Sequence, residues 1–155
     1  MRHRINHFEE VRADGHVISE TVTVDDLLSR GLGIRHVSSL RWIHEGIVVE
    51  YVARSAVVGM VVPGDQLVAA MTFEYPSGEN TRLVVVGPNG EDYATIQDHV
   101  RFMGIDKRGR WNWFEPAMNP REHVFGAVLS TPDDGDFLCD IDARTAQILA
   151  VRRTR

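Results

Sequence analysis

Cysteine is almost missing from this chain: Cys139 stands alone in 155 residues. A single thiol cannot close an internal disulfide, so the fold has to be held by burial, and a reducing cytoplasm is the expected compartment. Lysine is as scarce, with Lys107 the one lysine among seventeen basic residues. An arginine bias of that kind suits a GC-rich coding genome and carries no mechanism. Long apolar runs are lacking too. The segment IVVEYVARSAVVGMVV at 47–62 is broken by Glu50, Arg54, Ser55 and Gly59, short of the roughly 20 apolar residues that a membrane helix needs. The opening MRHRINHFEEV has basic residues but no apolar stretch behind them, so neither a membrane span nor a secretory signal is expected.

Catalytic signatures are equally absent. The histidines are scattered as His3, His7, His16, His36, His44, His99 and His123, without an H-E-x-x-H or a cysteine-rich spacing, so no metal is expected. Ser55, Ser77 and Ser130 lack the surroundings of a nucleophile elbow. Glycines occur singly at turns and make no phosphate-cradling loop, so no cofactor is expected either. The net charge is −5 and the isoelectric point near 5.8, a balance that repels phosphates and argues against nucleic acid as partner.

What is present reads as an ordinary globule. Hydrophobic residues make up 43% and charged residues 25%, close to the composition of soluble domains and far from disorder. Residues 1–155 are expected to form a single globular domain, long enough to bury roughly two-thirds of the surface its unfolded form exposes. Alternation, turn residues and β-branched side chains dominate. The spacing predicts a mainly β, β-rich α+β fold, an antiparallel barrel or a two-sheet sandwich. One short helix is expected near residues 24–31, with Thr23 as N-cap, Asp25 and Asp26 in the first turn and Gly31 at the end. Hairpins are expected at Asp14-Gly15, at Pro88–Gly90 and at Ala143–Thr145. QDHVRFM, at 97–103, fits a helical turn or a strand equally well.

Three clusters invite a function. The stretch PDDGDFLCDID at 132–142 gathers Asp133, Asp134, Asp136, Asp140 and Asp142 without the spacing of a calcium loop. As a strand it turns Phe137, Cys139 and Ile141 to the core, leaving Cys139 an inert thiol and the aspartates on the other face. That face is either solvated or an acidic docking strip for a basic protein. In RWNWFE, at 110–115, strict alternation puts Trp111, Trp113 and Glu115 on one face and Asn112 and Phe114 on the other. The expectation is core packing first, with one indole at the surface. In the first hairpin a turn at Asp14-Gly15 places Glu9 opposite Glu20 and His7 opposite Val22. That would bring an imidazole beside two carboxylates, a set able to do acid–base work or hold a divalent ion.

The favoured reading is a non-enzymatic protein-binding module, immunity- or antitoxin-like, that inhibits a basic protein through the aspartate strip. The alternative is a small β-barrel enzyme or small-molecule binder. Its pocket would be lined by Trp42, Tyr51, Trp111 and Trp113, with His44, Glu50 or Glu115 as the polar group. A homodimer joined at sheet edges is a third possibility.

Overall fold

The computed structural model describes residues 4–19, 21–33 and 35–154. The first sheet contains β1 (Ile5–Arg12), β2 (Val17–Ile18), β3 (Val37–His44) and β4 (Ile47–Val52) in the order β2-β1-β3-β4. Between β2 and β3 lies the helix α1 (Val24–Ser29). The second sheet runs in sequence order through β5 (Ala56–Val61), β6 (Val68–Phe73), β7 (Arg82–Val86) and β8 (Asp92–Ile96). A two-stranded ribbon follows, β9 (His99–Phe102) with β10 (Ile105–Arg108). The third sheet, again in sequence order, holds β11 (Arg110–Glu115), β12 (Val124–Thr131), β13 (Gly135–Asp142) and β14 (Gln147–Arg153).

The mainly β expectation with one short helix is what the chain adopts. The sheets are open, and no barrel closes among the described residues. They stack in three layers, for a reason written in the second sheet. Side chains alternate across a strand, yet VAAM in β6 and LVVV in β7 are buried at every position. Val68, Ala70, Val84 and Val86 pack on one side against Ile5, Leu40 and Trp42 of the first sheet. Ala69, Met71, Leu83 and Val85 pack on the other against Trp111, Phe125, Leu129 and Phe137 of the third. The middle sheet therefore serves two cores.

Close approach of the layers depends on particular glycines. A Cβ at Gly59 of β5 would stand 2.5 Å from a methyl of Leu40 and 3.2 Å from the Phe8 ring. Polar ties join the layers as well: Ile5 donates its N–H to the Asp65 carbonyl at 2.7 Å. The Trp42 indole N–H reaches the Pro88 carbonyl at 2.7 Å, and that of Trp111 the Gln97 carbonyl at 3.2 Å.

The helix forms where its caps predict. Thr23 accepts from the Asp26 N–H while Asp26 accepts from the Thr23 N–H, a reciprocal capping box. At the other end Gly31, at φ +79, lets Gly31 and Leu32 donate back to the Leu28 and Leu27 carbonyls.

Two local expectations change, and an open alternative is decided. The first hairpin is not a two-residue turn. Gly15 has φ +88 but Asp14 is not left-handed, and Arg12 bonds to His16 across a three-residue loop. The register shifts by one accordingly: Glu10 lies opposite Ile18 and Val11 opposite Val17. QDHVRFM supplies β9, folded onto β10 by Met103 and Gly104, both at positive φ. In β11 a bulge at Asn112 interrupts the alternation, since Trp111 pairs with Leu129 but Trp113 with Val128. The bulge sends Trp111 and Phe114 inward to the core shared with the middle sheet, and Trp113 outward.

Candidate functional site

The acidic segment is largely taken up by the fold. β13 turns Phe137, Cys139 and Ile141 into the core, as its alternation predicts. The Cys139 thiol is pushed up to about 12 by burial and the neighbouring Asp140 charge. Asp140, on the opposite face, is nevertheless only 2% exposed. Its two oxygens accept the N–H groups of Met118 and Asn119 at 2.7 and 3.0 Å. The segment 116–119 can cross there because the residue beside Asp140 on β12 is Gly126, where a Cβ would run into the backbone of Glu115 and Pro116. Asp140 is thus a buried anchor for that crossing and takes no part in an exposed acidic strip.

The other members of the segment differ among themselves. Asp134 holds the Lys107 ammonium at 2.6 Å, and that bond keeps its carboxyl below the usual range. Asp142 accepts the Arg144 N–H at 2.9 Å and lies 3.9 Å from the Arg144 guanidinium. Asp136 is half-buried, and Asp133 is exposed.

The aromatic pocket does not assemble either, because its members are parted between layers. Trp42 is sealed in the core between the first and middle sheets, Trp111 in the core between the middle and third. Trp111 borders a recess of about 120 Å³ shared with Met71 and Phe73. Trp113 is 37% exposed on the outer face of the third sheet and donates its indole N–H to Glu115 at 2.8 Å. Tyr51 bonds Asp92 at 3.0 Å, and its hydroxyl is pushed up to about 12 by burial and that carboxylate. His44 is half-buried at the end of β3, and Glu50 is exposed on β4. On that edge strand Ile47, Val48 and Val52 are exposed too.

A larger opening lies elsewhere, at the first hairpin. A groove of about 710 Å³ is lined by residues of β1, of the stretch after β2, and by Val61 of β5. It exists because β2 is only two residues long and pairs β1 at Glu10 and Val11, so that among the described residues no strand covers the edge of β1 beyond Glu10. β1 is also irregular here: its pairing with β3 slips between Asn6 and Glu9, and His7 sits at φ +54. His7 and Glu9, singled out by the sequence, both line the groove. Their third expected companion, Glu20, lies outside the described residues.

Glu9 is already engaged, with Arg41 at 3.0 Å. Glu10 is different. It pairs with Leu40 across β1 and β3 and with Ile18 across β1 and β2, which puts it on the inner face over Gly59. Its Oε2 accepts the Gly59 N–H at a long 3.4 Å, and among the described residues no ion pair holds it. Burial pushes its carboxyl above the ordinary range, with the Gly59 bond opposing. The sequence signal that could have found it is the alternation of Phe8, Glu10 and Ile18 in the correct register. Among the described residues no group of histidine, cysteine and carboxylate ligands has the arrangement of a metal site.

No family profile matches the chain, and no curated protein does. A solved structure does match: a chain in the structure of Tne2 in complex with Tni2 aligns with a TM-score of 0.86 at 29% identity, over 97% of this chain and 99% of that one. The likeness is to a protein solved in a two-protein complex. At such coverage it runs through all three layers, the groove-bearing hairpin sheet among them.

Proposed function

We propose that this chain is a protein-binding module, immunity- or antitoxin-like, which captures and inhibits a basic protein in the cytoplasm. The observation that carries the reading is the end-to-end likeness to a chain solved with a protein partner. The basic nature of the partner is supported by charge, since a net −5 surface favours encounter with a cationic protein and slows wrong associations.

The test is affinity capture from the native host with the full chain as bait, followed by reconstitution from the two purified proteins. One protein of basic isoelectric point is expected at one-to-one stoichiometry by light scattering. Its association rate should fall steeply between low and high salt, because steering across solvent is screened within about 10 Å at 0.1 M salt. Recovery of no stoichiometric partner, or of an acidic one whose binding ignores salt, would sink the proposal.

A further inference from the structure

We infer that the groove between the first hairpin and β5 seats a cationic side chain, an arginine or lysine presented by the protein partner, with the Glu10 carboxylate as its counter-charge. The inference rests on the reading of the chain as a binder of a basic protein and names the place of contact.

The groove has the shape and the chemistry for such a guest. At about 710 Å³ it falls within the range of pockets that enclose a whole side chain with adjoining backbone. Its walls are mixed in the way a long cationic side chain requires. Phe8, Ile18 and Val61 offer apolar surface to a methylene stem, while Glu10 offers carboxylate oxygens to a charged head; the Ser19 hydroxyl is already engaged by the Thr21 and Val22 N–H groups. Charge is disposed in the same sense. An ionised carboxylate can accept about four hydrogen bonds, yet Glu10 has one long bond, from Gly59. Glu9 is closer to neutralised, by Arg41, so it has less to offer a guest cation.

The aspartate segment is a poorer seat. Asp140 is enclosed, and Asp134 and Asp142 already have cations beside them. A carboxylate half-withdrawn from water and left without a cation is less favourable to the free protein than a solvated one, and a guest cation relieves that penalty. Glu10 is therefore the carboxylate whose environment improves most when a basic group arrives.

The Gly59 amide reports directly on Glu10, which makes the groove testable without the partner. In an amide-resolved NMR titration of the full chain, N-acetyl-arginine methylamide should shift Gly59, Phe8, Ile18 and Ser19 in the millimolar range. The uncharged norleucine analogue should not. Glu10→Gln, which keeps an oxygen for Gly59, should abolish the arginine response with the rest of the spectrum unchanged. Equal responses to both probes would show an apolar groove and overturn the inference, as would no response at Gly59.

The captured partner gives the second readout. Glu10→Gln should weaken it at least about 30-fold, and Ser19→Arg, which fills the groove from within the chain, should do the same. Undiminished binding by both variants overturns the groove while leaving the partner reading intact. Failure of wild type to hold any partner, with the arginine response present, counts against the partner reading alone.

Discussion

Glu10 is a residue whose function and stability pull in opposite directions. Burial raises its carboxyl pKa above the ordinary range, so the fold favours the protonated form. Stability linked to such a group is fully present below the unfolded pKa and is lost as pH rises through the folded one. Once pH passes its folded pKa, the free protein therefore carries Glu10 ionised at a penalty. Glu10→Gln should raise Tm in calorimetry at pH 7.5, with the gain shrinking toward pH 4; a fall in Tm at pH 7.5 would refute this. Among the described residues the other titratable groups at the groove, His7 and Glu9 with its Arg41 partner, are retained in the variant and do not produce the difference. A carboxylate kept where its removal stabilises the fold is what a binding site looks like when stability has been traded for contact. The sequence made His7 and Glu9 legible as a polar pair on a hairpin, but not Glu10. A one-residue slip in register moves every side chain to the other face, and that slip turned on whether Asp14 adopts positive φ.

At the scale of elements, the features that could be read were those fixed by neighbours in sequence. The capping box of α1 needs only Thr23 and Asp26, and the β13 core face only an alternation. The β11 bulge was not legible, because what decides it is the pairing partner β12, and nothing local marks Asn112 as the extra residue. The burial of Asp140 was hidden for the same reason. It depends on the segment 116–119 lying over Gly126, a contact between three stretches of chain. That crossing is open to test. Asp140→Ala leaves the Met118 and Asn119 amides without their acceptor and should cost about 2–4 kcal/mol in urea unfolding. Gly126→Ala pushes a methyl into the crossing backbone and should cost about 1–3 kcal/mol. The double variant should lose less than the sum, because each change alone already loosens the same segment. Full additivity would mean that Asp140 and Gly126 act on separate parts of the structure.

The three-layer stack is a property of the whole molecule, and only its material was visible in sequence. Alternation and β-branched residues read as strands, but which sheet lies on which face depends on strand order, and strand order is non-local. A two-sheet sandwich would bury one face of each sheet; here β6 and β7 carry both. The arrangement has a thermodynamic consequence. Because each core uses one face of the same middle sheet, losing either the first or the third sheet exposes a full apolar face of β6 and β7. The two cores should therefore unfold as one cooperative unit rather than in sequence. The tryptophans are placed to show it, with Trp42 in one core, Trp111 in the other and Trp113 at the surface. Two variants each keep one buried reporter: Trp111→Phe with Trp113→Phe, and Trp42→Phe with Trp113→Phe. In each, the fluorescence transition in urea should coincide with the far-ultraviolet circular dichroism of the same variant. If the Trp42 signal moves at lower urea than the dichroism, the hairpin sheet opens by itself. The Glu10 groove would then sit on a separately mobile layer instead of on the rigid frame that a preformed cation seat requires.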